Sequence, residues 1–298
     1  MSQRGHKAFL RNWFSDYLAL TLLIAFVSFS CQTRKEKIVQ PARSDLAPIN
    51  DKQKLADTIL SARSVNEQVH ALKLVPVLCY HQVRDWNGGD SKFERTYIVP
   101  VARFKEQMQM LNDSGFHTIL PAQLVAYVEK GERLPEKPVL ITFDDGSVSQ
   151  YDNALPELQK HGFIATFFIM TVALNRKDYL SIEQVKELVK QGHTIGCHTW
   201  DHHSVTRYKS TDWLVQVKKP TVELEHITGG QIAYFAYPFG LWNASAVDEL
   251  KKYGFIIAFQ LWGKTDEEQP LFTVRRMIAD GNWDAAQLSS AIKRNYDR

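Results

Sequence analysis

The chain has 298 residues, 44% hydrophobic and 23% charged, with 36 Lys+Arg against 33 Asp+Glu and a net charge of +3. This excludes collagen-like, low-complexity and wholly disordered chains, and so small a basic excess gives no support for nucleic-acid binding, which needs phosphate neutralisation. Three cysteines are too few for a disulfide scaffold, and the length fits one large domain with or without a tail.

Arg4, Lys7 and Arg11 precede an apolar run at 17–29. The run is shorter than the about 20 residues that span a bilayer. A basic segment followed by a short apolar one reads as a secretory signal. It ends Ser28-Phe29-Ser30-Cys31, which resembles a bacterial lipoprotein signal and would make Cys31 the lipidated mature N-terminus. Ser28 stands where that pattern usually has Leu. The alternative is an uncleaved anchor helix over 13–30. Either reading predicts an exported protein tethered to a membrane. Three regions follow: a signal at 1–30, a tether at 31–73 with a helix-like stretch at 52–72, and a catalytic domain at 74–298.

From Leu74 onward, strands and helices alternate. The apolar run 74–79 suits a buried strand. Helical spacing of Phe104, Met108 and Leu111 predicts a helix over 101–114, stopped by Gly115. A brief strand at 118–120 and a helix at 121–130 precede the strongly apolar strand 139–143. A helix at 153–161 and a strand at 164–170 come next. Ser181 and Gln184 form a capping-box pattern opening a helix that Gly192 closes. A strand at 194–197 leads to a helix over 211–228, with a kink or break expected at Pro220. The remaining elements are strand 232–235, helix 244–253, strands 255–259 and 272–277, and a final helix from Ala285. Such alternation implies parallel strands joined by helical crossovers. The expected fold is α/β, a distorted (β/α) barrel of about seven parallel strands. In such barrels the chemistry sits at the C-terminal ends of the strands.

Three strand ends carry polar or rigid motifs. Thr142-Phe143-Asp144-Asp145-Gly146 puts two adjacent carboxylates after a buried strand. That is costly unless a positive charge sits beside them. A divalent cation would resolve it, one Asp ligating and the other free as a base; the alternative is a solvated Asp-Gly turn. His198-Thr199-Trp200-Asp201-His202-His203 follows the strand at 194–197. If this segment turns helically, His198 and His202 share a face through i, i+4 spacing; if not, His203 is a candidate in place of His202. Two imidazoles and a carboxylate form a common catalytic metal set with a position open for water. Phe235-Ala236-Tyr237-Pro238-Phe239-Gly240 reads as a strand end and rigid turn able to aim a backbone N–H.

In this order, TFDDG, H-T-x-x-H and the YPFG turn resemble the polysaccharide deacetylase family (NodB homology, carbohydrate esterase family 4). The resemblance runs from Val75 to Asn295 and includes the opening Pro76-Val77-Leu78-Cys79-Tyr80-His81. It implies metal-dependent hydrolysis of N-acetyl, occasionally O-acetyl, groups on a polysaccharide. Carried over, it makes Asp144 the catalytic base, Asp145, His198 and His202 the metal ligands, and the Phe239 N–H an oxyanion donor. Two departures stand out. Ala236 occupies the position of an Arg that usually orients the base, and no His follows His226 to serve as the usual C-terminal acid. Both departures match the branch that deacetylates poly-β-1,6-N-acetylglucosamine, in which a His near the start of the domain supplies the acid. His81 fits that role, or is a buried strand-end His. Arg276 is a candidate to hold Asp144, or forms a surface ion pair, with Arg275 pointing the opposite way. Asp with two His suits Zn²⁺, and also Ni²⁺, Co²⁺ or Fe²⁺.

Trp200, Tyr237, Phe239, Trp242 and Trp262 lie near strand ends and are candidates for sugar contact or for core packing. Trp200 and Tyr237 are the substrate-binding expectations beside Phe239. Cys79 and Cys197 would be two buried thiols or, if their strands are adjacent, a disulfide. Competing functions are an O-acetyl xylan esterase of the same chemistry, action on peptidoglycan or chitin oligomers, and a non-catalytic carbohydrate-binding lipoprotein. A serine hydrolase is disfavoured by the lack of G-x-S-x-G.

Overall fold

The computed structural model describes residues 64–296. The signal segment, Cys31 and most of the tether lie outside them. The C-terminal part of the helix expected at 52–72 is present as Val65–Lys73, capped by a Ser64–Glu67 capping box. Val69, Ala71 and Leu72 are buried in the core, so the core includes residues before Leu74.

The strands are β1 (Val77–Tyr80), β2 (Gln82–Val83), β3 (Ile98–Val99), β4 (His117–Thr118), β5 (Pro138–Phe143), β6 (Thr166–Ile169), β7 (Thr194–Cys197), β8 (Tyr234–Ala236), β9 (Ile257–Gln260), β10 (Val274–Arg275) and β11 (Met277–Ile278). The main sheet runs β10-β9-β8-β7-β6-β5-β1-β11, with β4 beside β5. Only Arg276 separates β10 from β11. One extended segment therefore pairs with β9 through Val274 and Arg275 and with β1 through Met277 and Ile278. It joins the two ends of the sheet into a ring of seven parallel strands. Because the ring depends on a segment that changes partners in mid-strand, the barrel is distorted.

The longer helices lie outside this ring and bury one stripe. Phe104, Met108 and Leu111 do so on Val101–Asp113, and Leu288 and Ile292 on Ala285–Tyr296. Strand alternation sorts the two faces. Tyr80 and Phe143 pack on Phe104 of the helix layer. The residues one step away, Cys79, Thr142 and Asp144, face the interior with Arg276 and Phe168. At Gly196 in β7, a Cβ would meet the Phe168 ring at 2.5 Å and the Tyr234 carbonyl at 2.9 Å. Only glycine lets β7 lie this close to its neighbours.

Two expectations change. The helix at 211–228 does not break at Pro220. It runs as Ser210–Trp213, a π-helical turn Leu214–Lys218, and Lys219–Thr228. The wider turn ends just before the proline and absorbs its missing N–H and its ring. The helix at 153–161 likewise opens with a π turn, Gln150–Ala154, before Leu155–Lys160. The β2–β3 pair went unread because two-residue strands carry no periodicity.

Candidate active site

The polar residues of the barrel mouth sit one position past the strand ends. The strand ladder continues through their backbones: Asp144 N–H donates to Tyr80 O (2.9 Å), His198 N–H to Ile169 O (3.1 Å) and Arg276 N–H to Gln260 O (3.0 Å). Their side chains are thus placed by the barrel rather than by free loops.

Asp144 and Arg276 are both almost fully buried. Arg276 grips the carboxylate with two parallel bonds, Nη1 to Oδ1 at 2.6 Å and Nη2 to Oδ2 at 2.7 Å, and Nη1 also donates to Thr142 Oγ1 at 3.1 Å. Burial pushes the Asp144 pKa up. The Arg276 charge, with His198 and the hydrogen bonds, outweighs it and holds the carboxyl well below the usual range. The guanidinium reaches the carboxylate from the β1 side of β5, whereas Ala236 lies on β8, beyond β6 and β7 on the other side. Arg275 points out and meets Asn295 at 3.3 Å.

Asp145 lies in the left-handed region (φ 73°), and Asp144 Oδ2 stands 3.9 Å from His198 Nε2. Asp145 Oδ1 is 3.5 Å from His198 Nε2 and 3.6 Å from His202 Nε2. The His198–His202 segment is a turn, not a helix, with Thr199 and His202 both at φ 68°. The two imidazoles meet because of that turn, not through helical spacing. The Thr199 hydroxyl accepts from the His202 N–H at 3.0 Å and fixes it. His203 points to solvent and pairs with Asp201 at 2.6 Å, so it does not replace His202.

This triad fits a divalent ion. His198 Nδ1 bonds the Ala236 carbonyl at 2.7 Å, which requires the proton there and leaves Nε2 a lone-pair donor. Nε2 of His198 and Oδ1 of Asp145 are buried and have no hydrogen-bond partner. Buried polar atoms without partners are rare and call for an occupant between them. Ligand atoms about 2.0–2.1 Å from a tetrahedral ion stand about 3.3 Å from one another, close to the spacing seen here. Burial, then the His198 charge, lowers His202 to about 4, which keeps it a neutral ligand. Burial pulls His198 down, but Asp144, Asp145 and the Ala236 carbonyl together raise it. That is the electrostatic pull a bound cation would satisfy instead of a proton.

His81 follows β1 and reaches the same mouth. Among Cys79, His81 and Asp144, one potential ligand atom from each lies within 4.8 Å of the others. Burial lowers the His81 pKa, against the opposing pull of Asp145 and Asp144. Phe239, at φ 60°, presents its ring edge-on to His202 at 4.5 Å. The following Gly240, at φ 68°, leaves a Cβ no room against the Leu261 backbone N at 2.5 Å. The mouth opens into a cleft of 810 Å³ lined by His202, Phe239, Tyr208 and Leu241, and a hollow of 470 Å³ lined by Asp145, Arg84 and Tyr179.

The aromatic expectations divide. Tyr237 does not reach substrate: it is fully buried and its hydroxyl donates to Phe272 O at 3.0 Å. Strand alternation turns it inward between β8 and the turn. Trp200 is partly exposed on the histidine turn, outside the residues lining the two hollows. Trp242 bonds Gln260 and packs against the core, whereas Trp262 is exposed and donates to Phe239 O at 3.1 Å. Cys79 and Cys197 are buried free thiols. Sequence reasoning missed Gln150, whose amide donates to His81 O at 2.8 Å and Asp144 O at 2.6 Å, tying the ends of β1 and β5 together. Nothing in the sequence around it signals that role.

The polysaccharide deacetylase family model matches residues 131–258. A poly-β-1,6-N-acetyl-D-glucosamine N-deacetylase of Staphylococcus epidermidis is 30% identical over 211 residues, covering 63% of this chain and 72% of that protein. The enzyme of the same name from Staphylococcus aureus is 27% identical over 228 residues, covering 68% and 78%. Among solved structures, a polysaccharide deacetylase from Bacillus cereus superposes with a TM-score of 0.64 at 28% identity, covering 74% of this chain and 69% of that one. IcaB from Ammonifex degensii gives 0.60 at 29% identity, covering 69% and 91%. On the family match and the 30% identity over 72% of the staphylococcal protein, the chain belongs to the polysaccharide deacetylase (NodB homology, carbohydrate esterase 4) family.

Proposed function

We propose that this deacetylase removes N-acetyl groups from N-acetylglucosamine units of a poly-β-1,6-linked exopolysaccharide, using one divalent ion held by Asp145, His198 and His202. The observation that carries the metal dependence is the pair of buried, unpartnered atoms, Asp145 Oδ1 and His198 Nε2, facing each other at 3.5 Å. The substrate class rests on the similarity to the staphylococcal enzymes.

A divalent ion held by these residues would supply Lewis-acid chemistry for the acetyl carbonyl and for the attacking water. Asp144 is the base that takes the proton of the attacking water at a carboxylate oxygen. Arg276 orients that carboxylate and keeps it ionised at rest. The Phe239 N–H, held by its left-handed backbone, donates to the developing oxyanion; such a donor is worth about 3–4 kcal/mol in the transition state. An amine leaves only when protonated. His81, neutral at rest because burial lowers its pKa, receives the proton that Asp144 has gained and passes it to the departing nitrogen.

The N-terminal basic and apolar segments support export and anchoring through Cys31. The function is tested by acetate release from β-1,6 and β-1,4 N-acetylglucosamine oligomers and from acetyl-xylan, with and without chelator. Chelator-sensitive release, fastest from the β-1,6 oligomers, is expected. Release that persists in chelator, or that occurs only from acetyl-xylan, would overturn the reading.

A further inference from the structure

Phe93 is 72% exposed, the most exposed of the large apolar side chains among the described residues. It is not on a loose loop. Arg84 grips Asp90 with bonds of 2.9 Å and 2.9 Å. Trp86 donates to Ile98 O at 2.8 Å, and the guanidinium groups of Arg95 and Arg103 lie over its ring at 5.0 and 4.8 Å. Ser91 and Glu94 bond each other reciprocally, and Gly281 N–H ties down Thr96 O at 3.1 Å. A segment braced this heavily that still turns a phenyl ring to water has not failed to fold; the ring's exposure is built in.

That ring leads to the site. Phe93 meets Tyr97 edge-on at 5.3 Å, and Tyr97 meets His81 at 4.9 Å. On the other side of the mouth, exposed Phe239 touches His202 and is joined by exposed Trp262. His81 follows β1 and His202 follows β7, with β5 and β6 between them in the ring. The two aromatic groups therefore stand on opposite sides of the Asp144–Asp145 strand end. Aromatic faces suit the apolar C–H faces of pyranose rings, and a polymer lying across the mouth would meet both groups.

We infer that Phe93 is a stacking platform for the sugar unit next to the one being deacetylated, on the His81 side, so that the enzyme acts on internal units of a chain. This rests on the function proposed above. The partner is the polysaccharide itself, since the ring is continuous with the candidate catalytic groups through Tyr97.

The test compares wild type, Phe93→Ala and Phe93→Trp on β-1,6 N-acetylglucosamine dimer and hexamer and on a small aryl acetate. Loss of one aromatic face should raise the KM of the hexamer, and of a dimer seated with its second unit on the ring, about fivefold to tenfold, and leave kcat and aryl acetate hydrolysis unchanged. Phe93→Trp should restore the hexamer KM. An unchanged hexamer KM overturns the inference. So does an equal loss on dimer, hexamer and aryl acetate, which would mean a collapsed loop. Normal hexamer kinetics with loss of binding to anionic lipid vesicles would make the ring a membrane contact and equally overturn it. A wild type that releases no acetate from the hexamer defeats the proposed function. Calorimetric hexamer binding by the same three proteins then still decides the role of Phe93.

Discussion

Replacing Arg276 by Met removes the guanidinium and keeps most of the side-chain volume. In the wild type, Asp144 is 1% exposed and receives two charge-assisted bonds of 2.6 and 2.7 Å. Breaking a buried ion pair by deleting one partner costs about 3–5 kcal/mol, because the other charge is left uncompensated. Against a net stability of about 5–15 kcal/mol, that loss is large but survivable. The carboxyl can also escape by taking a proton. Burial is the largest influence on its pKa, and without Arg276 that influence dominates. The sign of the pH dependence therefore changes. In the wild type a depressed pKa contributes stability above the unfolded value of about 3.9, and this is lost as pH falls through the folded value. In Arg276→Met the folded pKa lies above the unfolded one, so acidification relieves the penalty. Urea unfolding of the metal-free proteins from about pH 2 to about pH 8, on the order of one point per pH unit, reads this directly, and the acid limb of kcat should move up in pH. Asp144→Asn/Arg276→Met should regain much of the stability but no activity. An Arg276→Met protein with wild-type stability and an unmoved acid limb would refute the account of how the base is held.

Asp145→Asn should abolish metal binding by calorimetry, whereas His203→Ala should bind metal as the wild type does; the reverse would move the metal site onto the Asp201–His203 pair. Tyr237→Phe should lower stability by about 1 kcal/mol through the lost bond to Phe272 O and leave KM unchanged, since the hydroxyl does not reach substrate. His193 accepts from the Ala165 N–H at 3.1 Å, and burial lowers its pKa to about 4. A lowered His pKa stabilises the fold fully above the unfolded value of about 6.5, and this is lost as pH falls towards the folded value. At most about 3 kcal/mol is involved, and His193→Gln should flatten the unfolding profile over that window. Gly240→Ala should lower kcat with metal affinity retained, because the added Cβ meets Leu261 and must shift the turn that carries Phe239.

Much of the barrel was legible because its strands are apolar on both faces, as β5 is, and its helices carry single stripes closed by glycine. The residues after those strands announced the carboxylate pair and the histidines by type and position. What remained hidden depends on conformations that residue identity does not encode. Asp145, Thr199, His202 and Phe239 all take positive φ without being glycine. It is this backbone strain, not helical spacing, that brings His198 to His202 and aims Phe239. Tyr237 looked like a site aromatic because it neighbours the turn, but alternation along β8 sends it into the core. Gln150, Phe93 and Tyr97 act through contacts between segments distant from any motif, and no local pattern marks them.

In the proposed site, Asp145, His198 and His202 enclose one divalent ion beside an Asp144 that stays unligated. Anomalous diffraction from crystals grown with zinc tests it most directly. A single strong peak about 2.0–2.2 Å from Asp145 Oδ1, His198 Nε2 and His202 Nε2, with the Asp144–Arg276 pair intact, is the predicted result. A peak bridging Asp144 and Cys79, one at the Asp201–His203 pair, or none near the barrel mouth would contradict it.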